Sequence, residues 1–194
     1  MRMRPGPNIG QYSGISSMSS GADRFIFSER MRPVADRLYR AIVPTRIVEI
    51  TRFDKDAERH ILDREYAIDL ELVLENGMKL IGQEKFREFS RWREARGLPQ
   101  YSDLTVELYN DPILKSKGDW FNMCGQFYFD GFAAEDESCF THYVFVDWLQ
   151  VVFETVKGNI SWRTQENRDG RAKASFRYTS FDGLPANCIL ARSS

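Results

Sequence analysis

Paired cysteines, long apolar runs and an excess of one charge are all missing from this chain, and each absence closes off a class of function. The three cysteines (Cys124, Cys139, Cys188) are odd in number and far apart, with no CxxC or Cys/His spacing. A disulfide framework or a zinc site is therefore not expected, and a reducing compartment fits best. No apolar run approaches the roughly 18 residues of a membrane span, and the first residues lack the apolar segment of a secretory leader. A cytoplasmic protein without membrane association is expected. The formal net charge of −1 gives no global pull toward nucleic acid, so any nucleic-acid surface must be local. Gly-rich phosphate loops, GxSxG and HExxH are absent. His60 and His142 have no partner at ligand spacing and read as structural.

What is present suits one globular unit. With 194 residues, 42% apolar and 28% charged, the chain is long enough for one good core. Residues 1–22 are rich in Gly, Ser, Pro and Met without periodicity and read as a loose tail, leaving 23–194 as a single domain. Met31, Val34, Leu38 and Ile42 predict an amphipathic helix over 28–43, with Pro33 in its first turn and Pro44 ending it. A strand over 45–53 and a short helix over 54–64, capped by Asp54, come next. Beyond a hairpin, the pattern predicts a helix over 86–96, a strand over 103–109, a strand over 140–146 and a helix over 148–157. Residues 120–132 are ambiguous between strand and buried helix. Residues 161–178 resemble two arms around a polar turn at Arg168-Asp169-Gly170, and a turn with a short helix closes the chain. This order predicts an α/β or α+β domain with a mixed sheet.

The stretch from Asp63 to Glu88 carries the functional signal. Two apolar runs flank Asn76-Gly77. A two-residue loop would mix Asp69 and Glu71 with Met78 and Leu80 on one face. A three-residue loop, Glu75-Asn76-Gly77 with Gly77 left-handed, instead collects Ile68, Leu70, Leu72, Leu74, Met78 and Leu80 on one side. Burial selects the second register, because a one-residue slip flips every side chain. Asp69, Gln83 and Lys85 then project together from the non-core face. Glu84 points toward the apolar side, for no reason the sequence supplies. Carboxylate and amide oxygens suit a hard cation, and a neighbouring ammonium suits a phosphate. An ordinary cross-strand ion-pair cluster would use the same residues.

Asp69 in AIDLEL followed by Gln83-Glu84-Lys85 in IGQEKF resembles the signature of the PD-(D/E)XK, or restriction-endonuclease-like, nuclease superfamily. The flanking segments REYAID, GQEKFRE, SDLTVELYND and KGDWFNMCGQFYFDGF are similar to phage-associated and mobile-element members with a QEK signature, over roughly residues 45–160. The resemblance implies an αβββαβ core, here with an N-terminal helix and a C-terminal extension. It further implies Mg²⁺ or Mn²⁺ and hydrolysis of DNA phosphodiester bonds. Asp69 and Gln83 would be metal ligands, the backbone carbonyl of Glu84 a further one, and Lys85 would assist the attacking water. Asp63 is the first candidate for an added acid from the preceding helix, with Glu58 and Glu65 behind it. Gln83 departs from the commoner Glu and removes one negative charge. A catalytically inactive DNA-binding or assembly protein of the same fold is therefore the alternative. One active site makes one cut, so cleavage of both strands would favour a homodimer, by analogy with many endonucleases.

Two basic clusters are candidates for holding DNA phosphates: Arg87 and Arg91 on the expected 86–96 helix, and Arg171 and Lys173 beside the Arg168 turn.

Overall fold

Strands and helices alternate irregularly along this chain, and the mixed order expected from the sequence is what it adopts. The computed structural model describes residues 21–54, 60–166 and 174–193. The expected tail lies almost wholly outside them, as do Glu58, Arg168, Arg171 and Lys173. The first half comprises α1 (Gly21–Ile42), β1 (Ile47–Arg52), α2 (His60–Tyr66), β2 (Leu70–Leu74), β3 (Lys79–Arg87) and α3 (Arg91–Glu94). Next come β4 (Asp103–Asp111), β5 (Ser116–Lys117), α4 (Asp119–Asn122), β6 (Phe127–Ala133), β7 (Phe140–Asp147) and α5 (Trp148–Val156). The chain closes with β8 (Arg163–Glu166), β9 (Ser175–Ser180) and, after two 3-10 turns, β10 (Ile189–Arg192). No helix among the described residues is long and apolar enough to cross a membrane.

Six strands form one mixed sheet in the order β1-β2-β3-β6-β7-β10, and four form a second in the order β5-β4-β9-β8. β3 and β6 run parallel, from Gly82 opposite Phe127 to Arg87 opposite Phe132. The large sheet is covered on both faces. On one, α1 buries Phe27, Met31, Ala35 and Tyr39, a four-residue spacing that makes a single stripe. That stripe packs on Leu70, Leu72 and Leu74 of β2 and on Phe127, Phe129 and Phe145. The other face carries Tyr128, Phe132, Val144 and Val146, which meet Leu104 and Val106 of the second sheet and Trp148 and Val151 of α5. Each fully buried apolar side chain stabilises the fold by about 1.5–3 kcal/mol.

Several expectations are corrected. The first helix starts earlier than expected, because Phe27 extends the apolar stripe one turn upstream of Met31. Pro33 consequently stands inside the helix, and Val34, Leu38 and Ile42 flank the stripe. The helix expected over 86–96 is mostly absent: β6 gives β3 a parallel partner as far as Arg87, so the strand continues and only Arg91–Glu94 is helical. Residues 120–132 divide between α4 and β6, whose seven positions are all buried because both sheet faces are covered. The closing segment forms two short 3-10 helices, Phe181–Gly183 and Ala186–Cys188, and then adds to the large sheet a strand that the sequence reading lacked, with Ile189 opposite Val146.

Candidate functional site

The hairpin takes the three-residue loop. Leu70 lies opposite Gly82 and Val73 opposite Lys79. The Leu74 N–H donates to the Met78 carbonyl at 2.8 Å, and Gly77 closes the turn at φ +81°. That left-handed backbone is why glycine stands there. Leu70, Leu72 and Leu74 are buried on the α1 side as the register requires.

β2 begins at Leu70, so Asp69 lies just before the strand and not inside it, a correction to the sequence reading. Its backbone still holds the chain to both neighbours: the Asp69 N–H donates to the Gly82 carbonyl, and its own carbonyl accepts from Phe53, each at 2.9 Å. The Asp69 carboxylate accepts from the Glu84 N–H at 3.0 Å. Asp69 is thus fastened to the peptide that joins Gln83 to Glu84. N–H and C=O of one residue point the same way in an extended strand, so the Glu84 carbonyl is aimed at the Asp69 side too. Asp63, on α2, is a hydrogen-bonding partner of the Asp69 carboxyl. Burial, then the neighbouring Glu84 and Asp63 carboxylates, push Asp69 well above the usual carboxylate range, against the downward pull of the Glu84 N–H. Glu65 is exposed and lies 3.8 Å from Arg64.

Gln83 is only 8% exposed, and among the described residues its Oε1 has no hydrogen-bond partner. The expectation of a non-core face is corrected here: the second sheet covers the side on which Gln83 and Lys85 project. A buried amide oxygen without a donor is costly, about 1–3 kcal/mol, and calls for an explanation. Lys85 follows on the same face. Its ammonium lies 3.9 Å from the Asp119 carboxylate and 5.8 Å from the centre of the Phe176 ring. Asp119 opens α4 directly after Gly118, which is pressed against β4 so closely that a Cβ would lie 2.8 Å from the Glu107 carbonyl oxygen. Only glycine permits that contact, and it sets Asp119 toward Lys85. Glu107 borders the same group, raised by burial and by Asp119 and lowered by Lys85.

Glu84 goes the other way. Its carboxylate, on the α1 side, accepts from Arg52 Nε at 2.5 Å and Nη2 at 3.0 Å, and from Tyr39 Oη at 3.1 Å. Arg52 also reaches Asp36 at 2.8 Å. The side chain of Glu84 is therefore not available to a metal, and only its backbone carbonyl is. Arg87 is drawn inward, donating from Nε to the buried Asp130 at 2.9 Å. Arg91 stays on the surface, 3.4 Å from Glu135. The two do not form the helical phosphate-binding pair expected, since Arg87 belongs to β3.

Past Lys85 the two sheets diverge into a cleft of about 560 Å³, lined by Arg87, Asp103, Phe132, Gln165, Phe176 and Tyr178. The structure thus ties Asp69 to Asp63 and to the Gln83–Glu84 peptide, and gathers Lys85 with Asp119 and Glu107 as a separate group. Asp69 itself lines a small pocket of about 180 Å³ with Arg32, Asp54, Glu84 and Phe86. The sequence signal for Asp119 was Gly118 immediately before an acid at the start of the aromatic run. Glu107 carried only the alternation of β4. Among the described residues no group of three His, Cys, Asp or Glu side chains stands where it could hold a metal.

The chain matches no family model, and no curated protein or solved structure is significantly similar to it.

Proposed function

We propose that this chain is a divalent-metal-dependent nuclease of the PD-(D/E)XK type that hydrolyses DNA phosphodiester bonds. The observation that carries the proposal is the buried Gln83 Oε1, left without a donor among the described residues, on a residue whose following peptide N–H donates to the Asp69 carboxylate. An acceptor oxygen in that condition suits a cation. The donor set also fits Mg²⁺ or Mn²⁺, which take oxygen ligands and need only one or two carboxylates. Asp69, Gln83 Oε1 and the Glu84 carbonyl would hold the ion, with Asp63 behind Asp69. When bound, such an ion supplies Lewis-acid stabilisation of a phosphoryl oxygen and acidifies water. The order α1, β1, β2, β3 and then β6 beside β3 supports an αβββαβ core, with β4 and β5 inserted before a much shortened helix, α4.

The chain's own residues then have distinct tasks. Asp69 is positioned by the Glu84 N–H, so its remaining oxygen lone pairs face the site in a fixed direction. Lys85 brings a positive charge next to the scissile phosphate, where it offsets developing charge and orients the attacking water. Asp119 restrains the flexible lysine stem from the opposite wall. The cleft beyond Lys85 accommodates the substrate strand, with Phe176 as an apolar wall.

A second reading is favoured by one observation: Lys85 is already ion-paired with Asp119. A non-catalytic DNA-binding or assembly protein would tolerate that pairing. The deciding experiment incubates the purified protein with supercoiled, linear, branched and single-stranded DNA in Mg²⁺ or Mn²⁺, beside Lys85→Ala and Asp69→Asn. The nuclease reading expects cutting by the native chain and losses of about 10²–10³-fold or more in each variant, the scale of a lost transition-state contact. No cutting on any substrate, with DNA binding unchanged by the substitutions, establishes the binding protein instead.

A further inference from the structure

α5 is a helix whose most exposed positions are apolar. Its inward face holds Trp148, Val151 and Glu154, all buried. Leu149, Phe153 and Val156 point outward and are 64%, 52% and 82% exposed. The orientation is fixed by polar contacts: the buried Glu154 carboxylate accepts from the Asn159 and Asn187 amides at 2.5 and 3.1 Å. Rotating the helix to bury the stripe would strand that carboxylate. Leu149, Phe153 and Val156 follow the i, i+4, i+7 spacing, a single row about 10 Å long. At Leu149 the row opens into a groove of about 410 Å³ lined by Leu190, Phe145, Leu80 and Val43. Leu190 on β10 is itself 55% exposed. Scattered surface apolar residues need no explanation, but an adjoining set on the order of several hundred Å² marks an interaction surface.

We propose that this face joins two copies of the chain, α5 packing antiparallel on α5 of the second copy across a two-fold axis. The occupant follows from the ends of the row. An antiparallel pairing centred between Val152 and Phe153 lays Leu149 over Val156 of the other copy. It also places Lys157, at the end of one helix, beside Asp147 at the start of the other. Asp147 borders the groove and the Lys157 side chain is 50% exposed, so each is positioned at the rim. Within the chain Lys157 lies 3.9 Å from Glu154 and over the Phe153 ring, and Asp147 accepts from the Gln150 N–H. The two-fold adds an opposite charge beside each of them twice, and it opposes the two helix dipoles favourably. A row of three side chains with Leu190 beside it is a small surface against the roughly 1,200 Å² of the smallest specific interfaces, which implies a weak, reversible dimer. Nothing in this proposal depends on the nuclease reading.

Sedimentation equilibrium of the full chain tests it over about 1–100 µM, bracketing the affinity of a small interface. The native chain is expected to rise with concentration from 22.6 kDa toward twice that mass. Leu149→Glu with Phe153→Glu is expected to stay monomeric with an unchanged far-UV spectrum. Should that double variant alter the spectrum, Val156→Lys, at the most exposed position of the row, gives the same reading. A native chain that is monomeric throughout overturns the proposal. So does a dimer that the α5 substitutions leave intact, or association without a discrete two-chain species.

Discussion

Gln83 and Glu84 are consecutive on β3, point to opposite faces of the same sheet, and are treated in opposite ways. Glu84 is enclosed under α1 with every carboxylate oxygen engaged by Arg52 or Tyr39. Gln83, equally enclosed under the second sheet, has an acceptor oxygen that nothing among the described residues engages. Propensity and burial do not separate the two positions. What differs is whether the surrounding fold completes the polar group. On the α1 face it does, and the acid serves stability. On the other face it does not, and a residue left incomplete in a buried place is where function is to be sought.

The largest effect should come from the completed side. Glu84→Ala leaves the Arg52 guanidinium, whose side chain is 12% exposed, with Asp36 alone. Removing one partner of a buried pair costs about 3–5 kcal/mol, and the surviving Asp36 contact places this variant near the lower figure. At about 2–4 °C per kcal/mol for a chain of this size, a Tm lower by roughly 6–12 °C is expected in thermal unfolding. A shift under about 2 °C would mean that the α1 face does not rely on this pair, and the contrast between the two residues would collapse.

Asp69 offers an intermediate effect of opposite sign. Burial raises its carboxyl, so the folded state holds that proton more tightly than the unfolded chain, whose aspartates titrate near about 3.9. Its contribution to stability is fully present below that unfolded value and is lost as pH rises through the raised folded one. Without divalent ions, Asp69→Asn should therefore be more stable than the native protein at neutral pH, by about 2–4 °C if the difference is near 1 kcal/mol. The asparagine keeps an oxygen to accept from the Glu84 N–H. Its Tm should also fall less between acidic and neutral pH. Adding Mg²⁺ at neutral pH should raise the native Tm and leave the variant's unchanged. A variant less stable than the native chain at neutral pH would mean that the Asp69 charge is compensated within the protein, and no cation would be needed to explain it.

How much of this was readable beforehand depends on the range of the interaction. The hairpin register was legible because burial of Leu70, Leu72 and Leu74 and the left-handed Gly77 both act within a few residues. Glu84 was not, since its partners stand 32 and 45 positions away. The continuation of β3 through Arg87 was hidden for the same reason: its parallel partner lies more than forty residues on, and local sequence there reads as helix. The inward turn of Arg87 follows from Asp130, which looks from sequence like one acid among many. Asp69 and Lys85 stood out by residue type, whereas Asp119 enters the group only through the close packing of Gly118 on β4. α5 was recognisable as a helix, but its period carries no record of which face points inward. That was decided by Asn159 and Asn187.

Gln83→Leu should have the smallest effect on stability and is the sharpest test of the contrast. Leucine keeps much of the volume and removes the acceptor that nothing satisfies, and replacements of that kind are close to neutral or slightly stabilising. A change in unfolding free energy within about 1 kcal/mol is expected, against about 3 kcal/mol for the adjacent Glu84→Ala. Cleavage of DNA, where the native chain shows it, should be lost. The two measurements separate the possible roles of this side chain. Loss of several kcal/mol would show that the amide is structural through its Nε2 donor, and the incomplete oxygen would then be incidental. Unchanged stability with unchanged cleavage would remove Gln83 from the site and leave Asp69 and the Glu84 carbonyl as the oxygen donors there. Only unchanged stability with lost cleavage makes the unsatisfied oxygen a functional feature of β3.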